Sequence, residues 1–323
     1  MEPAAAPICR DPIIGRPKTT VVVPSTGGGP LFQVLPPGLG NVHLDPLRHV
    51  FAQDASISAI VEGDVHSALG AMPSHSVRTC ITSPPYWSLR DYGIPGQIGL
   101  EDSVYTYIDS LVAAFEEVRR VLAEDGTLWL NIGDSYTSGG RTWRAPDKKN
   151  PIRAMDVRPA TPEGLKPKDL IGVPWRLALA LQSAGWYLRS DIIWNKPNCQ
   201  PESVKDRPTR SHEYLFLFSK SEHYCYNDQA VRGPNGRRLR SVWDLNTQAY
   251  KGAHFATFPP SLVEPCVLTG THPGDLILDP FFGSGTTGVV ALKNARRFVG
   301  VELNPDYIDI ARNRLSAMAV VSD

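Results

Sequence analysis

Residues 274–315 read GDLILDPFFGSGTTGVVALKNARRFVGVELNPDYIDIARNRL. Leu276 to Asp279 is a short apolar run ending in an acid, and Gly283 to Gly288 is glycine-rich. Thr286 to about Asn294 reads as a helix, Phe298 to Glu302 as a second apolar strand closed by a carboxylate, and the remainder as a last helix. Taken literally, Gly283, Gly285 and Gly288 satisfy G-x-G-x-x-G. A turn whose backbone passes close to a ligand needs glycine, and an acid ending the next strand, here Glu302, can accept hydrogen bonds from ribose hydroxyls. NAD or another adenosine cofactor suits this pattern.

Position in the chain carries the argument further. The glycine turn begins some 40 residues before the last residue, too few to complete a doubly wound sheet, so the other strands come from earlier sequence. A nucleotide half encoded last implies a permuted order. Upstream, SAIVEG predicts a strand, DVHSALGAMP a helix, and VRTCITS a buried strand. Apolar residues at helical spacing (Tyr107, Leu111, Ala114, Phe115, Val118, Val121, Leu122) predict an amphipathic helix that starts at a capping Asp or Ser and stops at Gly126. GTLWLNIGD follows as a buried strand, KDLIGVPWRLALALQSAGW as a helix, YLRSDIIWNKP as a strand, and HEYLFLFSK with HYCYND as a strand pair. Such alternation predicts an α/β fold with a mixed, mostly parallel sheet and helices on both faces.

Composition bounds the rest. At 323 residues with 42% hydrophobic and 20% charged, the chain is long enough for a sizeable α/β core. No run approaches a membrane span, and the proline-broken start MEPAAAPICRDPIIGRP lacks the apolar centre of a signal peptide, so a cytoplasmic location is expected. Five scattered cysteines without C-x-x-C spacing predict free thiols and neither a disulfide framework nor a metal site. Lys+Arg and Asp+Glu balance at 33 each, so any polyanion site has to come from local clustering. Residues 1 to about 50 are rich in Pro and Gly and read as loops outside the core, giving an extension over 1–55 and a catalytic domain over 56–323.

The stretch ITSPPYWSLRDYG, residues 81–93, ends a buried strand with Ser83-Pro84-Pro85-Tyr86. Together with DPFFGSGTT (Asp279 to Thr287), Glu302, HFATFPPSLVE (His254 to Glu264) and Asp64 in EGD, it makes the chain resemble the S-adenosylmethionine-dependent amino-methyltransferases of DNA. The order of motifs matches the permuted β class common in bacterial restriction-modification, over roughly residues 57 to 315.

The resemblance implies a Rossmann-like methyltransferase fold and roles for particular residues. An exocyclic amine conjugated into a nucleobase ring is a poor nucleophile, so acceptors must localise its lone pair. The Ser83 side chain and Pro84 carbonyl supply them, Pro84 and Pro85 stiffen the backbone, and Tyr86 offers a stacking face for a base turned out of the duplex, with Trp87 extending that wall. Asp279 receives the cofactor's ammonium directly or through water. Gly283, Ser284, Gly285, Thr286 and Thr287 form the turn and helix start that favour the methionine carboxylate. Phe281, Phe258, Pro259 and His254 belong to the cofactor-pocket side, Glu302 to the ribose and Asp64 to the adenine amino group. Serine at the first motif position is the family's usual mark of N4-cytosine enzymes, with N6-adenine the alternative. Methylation at cytosine C5 needs a cysteine after proline, whereas Cys80 lies upstream within the strand and reads as a core thiol.

Two basic stretches fall outside the resemblance. Residues 136–168 hold eight Lys/Arg against three Asp/Glu, including Arg141, Arg144, Lys148, Lys149 and Arg153. A second group, Arg232, Arg237, Arg238 and Arg240, lies within about 225–253. Both are read as DNA-recognition insertions, and Lys196, with Asn195, as a contact to the target base or backbone. The expected partners are double-stranded DNA and a nuclease acting on the same site, with the enzyme a monomer or homodimer. An NAD-dependent dehydrogenase and a DNA-binding module without catalysis are the rival readings.

Overall fold

A computed structural model describes residues 32–36, 49–51, 57–137, 159–248 and 258–319. Arg141, Arg144, Lys148, Lys149, Arg153 and His254 lie outside them. In chain order the elements are β1 (Phe32–Leu35), β2 (Ser58–Glu62), α1 (Val65–Gly70), β3 (Val77–Thr82), α2 (Val104–Val121), β4 (Leu122–Ile132), α3 (Val173–Ser183) and β5 (Tyr187–Asn195). There follow β6 (His212–Ser219), β7 (Val242–Asp244), α4 (Pro260–Gly270), β8 (Leu276–Asp279), α5 (Thr286–Lys293), β9 (Arg297–Glu302) and α6 (Pro305–Ala319). No helix among the described residues is long and apolar enough to cross a membrane.

The strands form one sheet in the order β1-β2-β9-β8-β3-β4-β6-β5-β7. Strand β6 runs antiparallel to both its neighbours, and every other pairing is parallel. Side chains alternate across the pleat, so Leu128, Leu130 and Ile132 of β4 enter the cluster beneath α1, α2 and α3, while Trp129 enters the cluster beneath α4, α5 and α6. Helices thus cover both faces, which is why the central strands read as unbroken apolar runs.

Four sequence expectations need correction. Phe32–Leu35, inside the Pro/Gly-rich extension, is an edge strand paired in parallel with β2, and its Phe32 and Leu35 are buried. The four residues FQVL are too short to stand out from their turn-forming neighbours. Helix α2 is capped by Ser103, whose hydroxyl accepts from the Thr106 amide at 3.1 Å, but it stops at Val121 rather than Gly126. Leu122 already pairs with Val77, and a register shift before the Thr79–Thr127 pair absorbs Ala123 to Gly126. The segment HYCYND is no strand, because both edges of β6 are taken by β4 and β5. Finally, the stretch read as a second insertion contains β7, which adds to the sheet beside β5 through Ile193–Val242 and Trp194–Trp243.

Candidate active site

Strands β8 and β3 are adjacent, although nearly 200 residues of sequence separate them, and they pair through Thr79–Ile277 and Cys80–Leu278. From β8 the chain crosses over α5 to β9 on one side; from β3 it crosses over α2 to β4 on the other. Connections that leave in opposite directions open a crevice beyond the carboxyl ends of the two strands, the place where open α/β sheets bind ligands. A cavity of about 510 Å³ lies there. Ser83, Pro84, Pro85 and Tyr86 line it from β3, and Phe281, Gly283, Ser284 and Thr286 line it from β8 and α5. Asp64, Phe258, Lys196 and Glu302 complete the predicted residues on its wall.

The glycine turn is built as its sequence requires. Gly283 and Gly285 have φ of 52° and 77°, a left-handed backbone that glycine adopts without the strain of a side chain. Glu302 grips the turn: its Oε2 accepts from the Gly283 amide at 2.7 Å and its Oε1 from the Asn304 amide at 2.8 Å. Burial pushes this carboxyl up to about 7 against those two bonds, with the nearby Asp279 charge adding to the rise. The hydroxyls of Ser284 and Thr286 accept from Arg314 of α6, at 3.3 and 2.9 Å.

Several predicted residues sit behind the wall. Asp279 is 1% exposed and does not line the cavity. One of its oxygens accepts from Thr82 at 2.7 Å and from the Phe281 amide at 3.2 Å, and the other accepts from Thr287 at 2.7 Å. Burial pushes its carboxyl up to about 6 despite these donors. These bonds make Asp279 a structural tie between the two motifs. Thr287 is buried as Asp279's partner, Pro259 is the N-cap of α4, and Gly285 lies under the turn. Trp87 is core, with its indole N–H donating to the Glu101 carbonyl at 2.9 Å. Asn195 donates to Asp244 at 2.7 Å and fastens β5 to β7. Asp64 does two things: it lines the cavity and caps α1 by accepting from the Ser67 amide at 2.9 Å. Burial works to raise its carboxyl, but the bonds from Ser67 and His66 outweigh that and leave it lowered.

The tetrapeptide is fixed from below by Tyr107 of α2, fully buried, whose phenol donates to the Pro85 carbonyl at 2.7 Å. Tyr86 turns its phenol to Glu213 Oε2 at 2.7 Å, and its ring lies on Gly133, where an added Cβ would stand 2.7 Å from the ring edge. Because β6 runs opposite to β4, its first residues come to the cavity end of the sheet and bring Glu213 there. Asn131 donates to the same Glu213 oxygen at 3.2 Å. Lys196 pairs with the other oxygen and lies 4.3 Å from the centre of the Trp194 ring. Sequence reasoning missed Glu213, Asn131 and Tyr107; the available signal was one acid at the head of an otherwise apolar strand, HEYLFLFS.

The second basic group lies elsewhere. Its turn is tied to the other end of the sheet, through the Asn227 amide on Thr269 at the end of α4 and the Cys225 amide on Asp125 at the start of β4. Arg232 and Arg238 share Asp228 at 2.7 and 3.4 Å, and none of Arg232, Arg237, Arg238 and Arg240 lines the cavity.

A sequence model of the N6/N4 DNA methylases matches residues 77–313. Type II methyltransferase M.Cfr9I of Citrobacter freundii is 64% identical over 262 residues, 80% of this chain and 87% of that protein. Type II methyltransferase M.SmaI of Serratia marcescens is 59% identical over 79% of this chain and 90% of its own length. Among solved structures, the cytosine-N4-specific PvuII DNA methyltransferase superposes with a TM-score of 0.62 at 22% identity, covering 81% of this chain and 90% of that one. A Thermus thermophilus protein, TTHA0409, solved in complex with S-adenosyl-L-methionine, superposes with a TM-score of 0.55 at 26% identity, covering 80% and 94%. With the permuted motifs joined in one crevice and relatives this similar over most of their length, the chain belongs to the N6/N4 family of DNA methyltransferases.

Proposed function

We propose that the protein transfers a methyl group from S-adenosylmethionine to the exocyclic N4 of cytosine in a specific duplex sequence. The observation that carries this reading is the single cavity shared by Ser83-Pro84-Pro85-Tyr86 and the Gly283–Thr286 turn with Glu302. The donor set suits the cofactor: a carboxylate for ribose hydroxyls, hydroxyls and amides at a helix start for a carboxylate, and Phe258 and Phe281 as apolar wall. When bound, S-adenosylmethionine supplies a sulfonium-activated methyl group. Ser83 and the Pro84 carbonyl hold the target amine, and Tyr86 supports the extruded base. Asp279, Thr82 and Thr287 act beneath, setting the turn against the tetrapeptide. The choice of cytosine rests on Ser83, the usual first residue of the N4-cytosine motif. Phosphate contacts fall to the basic run that includes Arg141, Arg144, Lys148, Lys149 and Arg153, and a nuclease of the same specificity is the expected genetic partner. Incubation of a random-sequence plasmid with pure protein and cofactor, followed by single-molecule sequencing, tests this: N4-methylcytosine in one sequence context is expected. N6-methyladenine would overturn the choice of base, and an unmodified plasmid the whole proposal.

A further inference from the structure

The cavity has two sides. Glu302 and the glycine turn lie toward β9 and β8, whereas Asn131, Glu213 and Lys196 lie at the ends of β4, β6 and β5, with Ser83 and Pro84 between the two groups. On the reading above, the extruded base rests on Tyr86 with its amine at Ser83 and the Pro84 carbonyl. The Tyr86 ring, backed by Gly133, runs from the tetrapeptide to Glu213, where its phenol donates at 2.7 Å. Strand β6 is two strands from β3 in the sheet, a span of about 10 Å. With a hydrogen bond of about 3 Å at each end, that span holds one edge of a pyrimidine ring. A base whose amine is held at β3 therefore brings the far end of its Watson–Crick edge to the Glu213–Lys196 pair.

At that end cytosine carries its C2 carbonyl and adenine only C–H, so a donor placed there tells the two apart. Among the described residues on this side, most donors are already spent. Tyr86 donates to Glu213, Asn131 to Glu213 and the Tyr214 carbonyl, Trp194 to the Leu245 carbonyl, and Thr247 to Asn198. Lys196 differs. Its ammonium has three N–H groups and spends one on Glu213 Oε1. The Lys196 amide is tied to the Ser211 carbonyl at 2.7 Å, and the ammonium lies 4.3 Å from the centre of the buried Trp194 ring. The Lys196 and Glu213 side chains are only 16% and 18% exposed, so the ammonium is largely out of water and aimed before a base arrives.

We propose that Lys196 donates a hydrogen bond to the C2 carbonyl of the extruded base and thereby selects cytosine over adenine, with Glu213 and Trp194 holding its ammonium in place. Adenine with its N6 at Ser83 would set C–H against the ammonium and leave a desolvated charge without that acceptor. The inference rests on the cytosine reading above, and the experiment separates the two.

A cycle between enzyme and substrate supplies the test. In a duplex carrying the modified site, the target cytosine is replaced by the C-nucleoside of 2-aminopyridine, which keeps the amine and the adjacent ring nitrogen but has C–H in place of the carbonyl. Wild-type kcat/KM should fall on the order of 100-fold with this duplex. Lys196→Met keeps the stem and removes the donors. It should lose on the order of 100-fold with cytosine and no more than about threefold further with the analogue. Duplex affinity with S-adenosylhomocysteine bound should show the same pattern where no transfer occurs. Lys196→Met/Glu213→Gln removes both charges together and keeps the cycle decisive if the single variant does not fold. Two outcomes overturn the assignment and leave the cytosine reading standing: a Lys196→Met enzyme within twofold of wild type on cytosine, or one as sensitive to the analogue as wild type. A wild-type enzyme that methylates adenine and no cytosine overturns both.

Discussion

Cofactor affinity should depend on pH through Glu302. Its carboxyl titrates at about 7 in the ligand-free protein, and ribose hydroxyls need an ionised acceptor, so binding should draw on the ionised fraction alone. That fraction is about 91% at pH 8 and about 9% at pH 6, so affinity should weaken about tenfold across the interval, about 1.4 kcal/mol. The sign follows from linkage. The raised carboxyl binds more protons in the free site than in the complex, so binding releases close to one proton at about pH 6 and about a tenth of one at pH 8. The donor's own α-amino group titrates at the top of this window, at about 7.7–8.0, and acts in the opposite sense, since its deprotonation weakens binding as pH rises. Glu302→Gln separates the two: it should bind more weakly throughout and keep only the α-amino dependence. Calorimetry in two buffers of different ionisation enthalpy reads both affinity and proton count. A dissociation constant flat within twofold over the range, or the same slope in Glu302→Gln, would refute the assignment of ribose recognition to this carboxylate.

Ser83→Ala should bind S-adenosylmethionine normally and lose transfer on the order of 100-fold, measured by tritium incorporation into duplex DNA. Gly133→Ala should lower kcat more than stability, because the new methyl occupies the space of the Tyr86 ring edge; 2-aminopurine fluorescence at the target position would show a loosened base. Thr287→Val leaves one oxygen of a buried Asp279 without its hydroxyl donor and should cost about 1–3 kcal/mol in urea unfolding, whereas a change under about 0.5 kcal/mol would mean the carboxyl is neutral in the fold.

Legibility in the sequence followed locality. The glycine turn, its flanking strands and the final helix were readable because each signal lies within a few residues: an apolar run, glycines at left-handed positions and an acid at the strand end. Phe32–Leu35 and Val242–Asp244 were not, since strands of four and three residues carry too little pattern to stand apart from Pro/Gly-rich or basic surroundings. The site's polar network was hidden for a different reason. Glu213, Asn131 and Tyr86 stand on three strand ends more than 40 residues apart in sequence, and they meet only because β6 reverses direction beside β4. Asp279 was legible as an acid beside a glycine turn, but only three-dimensional neighbours reveal its bonds to Thr82 and Thr287.

That last pair explains how a permuted chain keeps its two motifs in register. Thr82 immediately precedes the tetrapeptide, Thr287 lies in the first turn of α5, and both hydroxyls close on one buried carboxylate at 2.7 Å. Backbone pairing fixes β3 against β8 only through Thr79–Ile277 and Cys80–Leu278, below the reacting level. Above it, the Asp279 oxygens join the two sides, together with the Thr287 hydroxyl on the Ile81 carbonyl at 3.3 Å. Burial pushes this carboxyl up to about 6, so that it takes up a proton in mild acid, and one of the two hydroxyls must then turn from donating to accepting; Thr287 can do so by giving its own hydrogen to the Ile81 carbonyl at 3.3 Å. The separation of tetrapeptide and turn is therefore set by a titratable joint. Acid should loosen the alignment of amine and methyl before it unfolds the sheet, and Asp279→Asn should impose at neutral pH the misalignment that acid imposes on the wild type.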